Sequence, residues 1–170
     1  AIVQNARTSS AQAVTQVSNT VASYLEDMDQ AMDSVTQTLG QSAARRDSML
    51  EAFLNFRPDV VAVTSYDGAG NLLDCWAQGR DPKEKIAVNL SFDYDQARRT
   101  ADSFMTAPHV ETIFDRYYPW VVTMTARLDE GGEAAWVSLD LSFSSLSSYI
   151  NNVGIGTRGY CFLLDAGGNI

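Results

Sequence analysis

Asp140 lies in "AAWVSLDLSF", alternating with Trp136, Ser138 and Ser142, while Ala135, Val137, Leu139, Leu141 and Phe143 take the positions between. In an extended chain that spacing sends a ring, two hydroxyls and a carboxylate to one side and hydrocarbon to the other. "WVVTMTARL" divides the same way. Thr123, Thr125 and Arg127 share one side, and Trp120, Val122, Met124, Ala126 and Leu128 share the other. A mostly apolar wall with a few placed polar groups suits an orienting pocket for a small molecule, and a solvated sheet face has the same composition. Asp140 therefore reads either as the pocket's carboxylate or as a cap for a helix beginning near Ser144. Asp115, Tyr117, Tyr118, Trp120 and Trp76 extend the candidate pocket wall. Aromatics at strand spacing serve equally as plain core, so Trp120, Trp136 and Tyr117 keep both readings.

Other chemistries find little footing. His109 is the only histidine; it follows Pro108 in a loop, with no nucleophile and orienting carboxylate beside it. Ser-His-Asp catalysis would need three dispersed residues to converge, and the expectation is that this chain is not an enzyme. No CxxC pair, His-Cys cluster or EF-hand loop is present, so neither a metal nor a cofactor is expected. Cys75 and Cys161 alternate with strand-type neighbours and read as small buried thiols; a disulfide would require them to be close in space.

Charge narrows the partners. The 170 residues carry 21 acidic and 12 basic side chains, a net charge of -9, with no basic stripe. Such a surface repels phosphate, which argues against nucleic acid and against anionic lipid. "DVVAV" and "WVVTM" are strand-sized, far below the roughly 20 apolar residues of a membrane span. Any membrane anchor would belong to segments outside this sequence.

These candidate groups must be held by a scaffold. Val14, Val17, Val21, Tyr24, Met28, Ala31 and Val35 recur at alternating steps of three and four, and Leu25, Met32 and Leu39 widen the stripe. This predicts a helix ending at Gly40, with a solvated or frayed start ahead of Val14. Either it is a long core helix, or it is a rod that joins a membrane anchor to a distal domain and pairs with a copy of itself. A shorter helix is predicted over 43–55, ended by Pro58. "DVVAVTSYD" and "LLDCWA" read as strands around a "GAGN" turn, with Gly70 left-handed and Asp67 bonding the turn amides. Beyond the charged loop "QGRDPKEK", "YDQARRTADSFM" reads as a helix with Asp93 as its N-cap. "DEGGE" turns between the two strands described first, "SSLSSYINNV" reads as a short helix, and "YCFLLD" as a final strand. The expectation is an α+β fold, a long N-terminal helix packed on a five-stranded antiparallel sheet.

At this point the residues resemble a known family. The long first helix, the strand with its D-x-x-G-N-type turn, and "AAWVSLDLSFSSLSSYINNVGIGTRGYCFLLDAGGNI" are similar to the extracytoplasmic Cache (PAS-like) sensor domains of bacterial membrane receptors. The resemblance is good over 134–170, fair for the architecture of 1–80 and poor over 80–118. Its wording is most like sensor histidine kinases of two-component systems, with chemoreceptors and diguanylate cyclases as alternatives. It implies a membrane-proximal signalling helix over 1–40 and a sensor domain over 41–170, the distal module of a double Cache. The hairpin at "LLDAGGNI" would then be completed by chain that follows.

The resemblance also implies a small-molecule ligand, a homodimer through the first helix, and a location on the extracytoplasmic face of the cell membrane. Asp140 stands where amino-acid-binding members use an aspartate to hold an α-amino group, and Asp115 lies about one residue from the other amine-binding aspartate. The arginine-x-tryptophan-tyrosine segment that grips the ligand carboxylate in those members is missing. The nearest residues, Arg98 and Arg99, have no Trp-Tyr after them, which puts a different small molecule, or no known ligand, on an equal footing with an ordinary α-amino acid. The rival function is a ligand-free ectodomain that dimerises or binds another protein.

Overall fold

A computed structural model describes residues 2–83, 103–129 and 131–151 of the chain. With no glycine or proline before Gly40, nothing interrupts helix α1, Ile2–Leu39. Its buried positions, Val17, Tyr24, Met28, Met32, Val35 and Thr38, keep the three-and-four spacing of one helical face. The predicted stripe thus begins at Val17, not Val14, which is 66 % exposed. The segment ahead of it is helical and mostly exposed, the solvated form of the solvated or frayed start that was expected. After Gly40, α2 runs Ala43–Phe56 and buries Leu50 and Leu54. The proline at 58 disfavours helical geometry at Arg57, whose N–H closes the helix on the Phe53 carbonyl at 3.0 Å.

The described residues fall into two compact units, one comprising 2–30 with 144–151, the other Ala31–Phe143. In the first, Tyr24 meets Tyr149 with ring centroids 5.0 Å apart, and Val17 and Leu146 are also buried. Tyr149 belongs to α3, Phe143–Asn151.

The second unit holds an antiparallel sheet. Its strands are β1 Val60–Tyr66, β2 Leu72–Ala77, β3 Ser103–Met105, β4 His109–Val110, β5 Trp120–Arg127 and β6 Trp136–Ser142. Their order is β2-β1-β6-β5-β3, with β4 pairing β5 beside β3. In the β1–β2 turn Asp67 does what its position predicted. Its carboxylate accepts from the Ala69 and Asn71 amides at 2.9 and 2.8 Å and from Asn71 Nδ2 at 3.0 Å, and Gly70 has φ 83.

The sheet corrects one prediction. Ser103–Met105, read as the end of a helix, is a strand, because these residues pair with Ala126, Thr125 and Met124 on β5. Long-range backbone bonding overrides a local helical preference in so short a segment. The rest of that predicted helix, with Arg98 and Arg99, lies outside the described residues, as do "YCFLLD" and Cys161.

Register sorts the side chains into two faces. The row Met105, Met124, Leu139, Val63, Trp76 crosses the sheet on one side. On this side α2 packs against β1 and β2, and Trp76 Nε1 donates to Asp47 Oδ1 at 3.0 Å. The neighbouring rows face the other way: Phe104, Thr125, Ser138, Thr64, Cys75, and then Thr123, Asp140, Ala62, Ala77.

Candidate functional site

That second face is polar and almost dry. Thr64, Thr123, Thr125, Ser138 and Asp140 are each at most 1 % exposed. Buried hydroxyls need partners, and Thr125 Oγ1 and Ser138 Oγ supply one another at 2.8 Å. Thr123 and Asp140 sit opposite each other in the β5–β6 register, and the Thr123 hydroxyl donates to Asp140 Oδ1 at 2.6 Å.

A second carboxyl meets Asp140. Glu111, one residue past β4, is fully buried, and its loop is pinned by its own N–H donating to the Pro119 carbonyl at 2.8 Å. Its Oε1 accepts from the amides of Thr112 and Ile113 at 2.8 and 3.1 Å. Asp140 Oδ2 and Glu111 Oε2 have no donor among the described residues. Two ionised carboxylates have no hydrogen to put between them, but with one proton each satisfies the other. Burial foremost, then the hydrogen bond and the charge of Glu111, push the Asp140 carboxyl well above the usual aspartate range, against the opposing pull of Thr123.

His109 closes the network from β4. Its Nε2 lies 3.4 Å from Thr123 Oγ1, and its Nδ1 lies 3.1 Å from the Ala107 carbonyl and 3.2 Å from Thr106 Oγ1. Cys75, from β2, is partly buried; burial first and then the negative charges of Asp140, Glu111 and Asp74 push its thiol up to about 12. Ile113 and Phe114 pack on Ala62 beside Asp140, with Tyr117 on Phe114 at a centroid distance of 5.6 Å and the Arg80 guanidinium 4.0 Å above the Tyr117 ring. Trp136, on the same face, is buried with Tyr66 against Leu72 and Phe104, and the Arg127 guanidinium lies 4.6 Å from its ring.

The predicted site residues thus divide. Asp140, Thr123, Thr125, Ser138 and Trp136 come together on one face, and Tyr117 lies at its margin. Trp120 is 57 % exposed and alternates onto the opposite face with Val122 and Met124, while Trp76 is engaged with α2. Tyr118 is also 57 % exposed, and Asp115 points outward in a 3.9 Å ion pair with Arg116. Arg99 lies outside the described residues. The inward carboxyl of this loop is Glu111, four positions before Asp115. Glu111 and His109 were missed. Their only sequence signal is the short alternation "HVE" after Pro108, too brief to register as a strand. Among the described residues no cluster of ligating side chains suits a metal ion, and no helix is long and apolar enough to cross a membrane.

No family model and no curated protein matches this sequence. Solved structures do. The ligand-binding domain of the Pseudomonas fluorescens chemoreceptor CtaA in complex with L-isoleucine superposes with a TM-score of 0.68 at 18 % identity, covering 91 % of this chain and 62 % of that one. The ligand-binding domain of the Campylobacter jejuni chemoreceptor Tlp3 in complex with L-norvaline gives 0.66 at 12 % identity, covering 86 % and 62 %. The extracellular domain assigned to a histidine kinase, vpHK1S-Z8, gives 0.61 at 14 % identity, covering 86 % and 63 %. The fold is that of the Cache sensor domains. This chain spans about three-fifths of the length of those Cache structures. The long helix and antiparallel sheet expected from the sequence are the Cache elements found, with six described strands in place of five.

Proposed function

We propose that the chain is the small-molecule-sensing part of a transmembrane signal-transduction receptor, facing outward from a bacterial cell membrane. A histidine kinase is the output the sequence resemblance favours, with a chemoreceptor or diguanylate cyclase as the other members of that class. The chain itself binds and does not catalyse. The observation that carries this reading is the buried acid pair: Asp140 Oδ2 and Glu111 Oε2 are dry and, apart from a proton shared between them, have no donor among the described residues. A shared proton gives those two oxygens one hydrogen between them, and a ligand ammonium would offer three, together with the opposite charge that a buried carboxylate needs. Thr125, Ser138 and Trp136 stand beside it on the same face. The CtaA and Tlp3 domains are described in complex with amino acids, which supports an amine-bearing ligand here.

Ligand occupancy signals only if it binds two arrangements of the receptor with different affinity, and a coupling of about 1–3 kcal/mol is typical. Helix α1 is the element that would carry the difference outward, as one member of a homodimeric pair.

The test is thermal melting against a panel containing L-isoleucine, L-leucine, L-valine, L-serine, and amines without a carboxylate such as putrescine. A rise of several degrees with one compound class supports the sensor. A flat panel with a concentration-dependent melting point would replace it with the ligand-free, dimerising ectodomain.

A further inference from the structure

Residues 111–119 form a loop that closes on itself. Its neck is a backbone bond, the Glu111 N–H donating to the Pro119 carbonyl at 2.8 Å, and its outer half carries the Phe114–Tyr117 ring contact. A short loop with joined ends and its own side-chain packing is compact enough to move as one piece. Inward it lays Ile113 and Phe114 on Ala62, against Cys75 and Ala77, and so covers the part of the polar face beside Asp140. Outward it is held by residues 80–83, which follow the left-handed Gly79, φ 66. Arg80 lies over Tyr117, and Pro82 bridges to Phe114. The Lys83 N–H donates to the Ile113 carbonyl at 2.8 Å, and Lys83 Nζ lies 5.9 Å from the Tyr118 ring. These contacts form a strap across the loop.

Opposing forces act on the closed loop. Covering Glu111 and Asp140 takes two carboxyls out of water, a cost that burial of Ile113 and Phe114 offsets. Arg116, at the exposed tip, has φ 55, a left-handed conformation that is costly for a residue with a Cβ. A cleft of about 150 Å³ remains between Tyr117 and Phe114 on one side and Val60, Val61 and Ala77 on the other, so the outer half of the loop does not seat fully on the sheet. Such a segment belongs to the low-stability end of a fold, where local opening precedes global unfolding.

We propose that loop 111–119 is a gate over the Asp140 face, hinged at the Glu111–Pro119 neck and latched from outside by the Arg80–Tyr117 contact. Opening breaks the strap, keeps the neck bond and uncovers Cys75. That a ligand reaches Asp140 by this route rests on the sensing reading above; the gate itself is a property of the chain alone.

Two reporters test the gate without any ligand: iodoacetamide on Cys75, followed by mass spectrometry of its peptide, and deuterium exchange resolved by backbone amide. Both rates track the population of the open form when closing is fast. Arg80 is exposed, so its truncation leaves the fold standing. In Arg80→Ala, native-state labelling of Cys75 should speed up about two- to fivefold, the worth of one partly exposed cation–π contact, and in Tyr117→Leu by at least as much. The Lys83 amide, whose acceptor is on the loop, should lose protection by the same factor, while the Glu111 amide in the neck keeps its own. Trp76→Phe is the control, because it loosens the opposite face of the sheet without touching the latch, and it should leave the Cys75 rate unchanged. Latch variants that label no faster overturn the gate. So does a Trp76→Phe chain that labels as fast as Arg80→Ala, since Cys75 then waits for unfolding of the whole domain. A Glu111 amide that loses protection together with Lys83 overturns it as well, since the loop then melts without a hinge. A flat melting panel would remove the sensing reading and leave the gate to be decided by these rates.

Discussion

Trp76 and Asp47 are joined by a 3.0 Å hydrogen bond from the indole nitrogen to the carboxylate, which fastens β2 to α2. Arg46, the residue before Asp47, places its guanidinium 5.2 Å from the same ring. This tryptophan belongs to the scaffold side of the sheet. Trp76→Phe should cost about 1 kcal/mol in a denaturant titration, the scale of one partly solvated hydrogen bond. It should leave any ligand-induced rise in melting temperature unchanged. Loss of that rise would return Trp76 to the pocket.

Asp140 should make the fold weaker as pH rises. Its carboxyl is held well above the ordinary value of 3.8, so the folded chain keeps a proton that the unfolded chain has lost. Stability is then fully present below the unfolded value. It falls by up to about 1.4 kcal/mol per pH unit as pH climbs toward the folded one. Asp140→Asn should flatten that slope between acid and neutral pH and abolish ligand-induced stabilisation while the domain stays folded. A variant that unfolds at every pH would make Asp140 a purely structural residue.

Cys75 should be nearly inert in the native chain. A thiol pushed from 9.0 up to about 12 holds roughly a thousandfold less thiolate at neutral pH, and thiolate is the reactive form. Alkylation of the peptide containing Cys75, followed by mass spectrometry, should therefore wait for unfolding by denaturant. Rapid labelling under native conditions would show an open path to this face.

The β1–β2 turn should respond to acid in the opposite sense to Asp140. The Asn71 side chain, then its amide, holds the Asp67 carboxyl below 3.8, outweighing slight desolvation. Its stabilising contribution is present above that value and disappears as pH falls through the folded one. Asp67→Ala removes the acceptor for three hydrogen bonds and should lower the melting temperature near neutral pH. The difference from the unaltered chain should shrink in strong acid, and a gap that persists there would assign the effect to turn conformation.

Much of this molecule can be read from alternation alone. β1, β2, β5 and β6 are long enough to show period two, so the partners Thr123 and Asp140 were placed on one face before their contact was known. Trp120 shows the limit of applying that rule unevenly. Its parity already grouped it with Val122 and Met124, and its ring was still assigned to the pocket. β3 and β4 are too short for any period, and each exists because β5 offers it an edge. Glu111 and His109 acquire meaning only from that docking. A charged residue in a loop gives no sign that the loop folds inward over another carboxyl.

Strand β1 lies between β2 and β6, so one of its two neighbours is the last strand among the described residues. A ribosome releasing this chain can complete α1, α2 and the first hairpin early, yet β1 keeps a bare edge until Ser142 has emerged. Assembly of the central pairing must await a long loop closure, which makes it slow compared with local helix formation. Nascent chains caught in that interval would be the form most exposed to chaperones and to self-association.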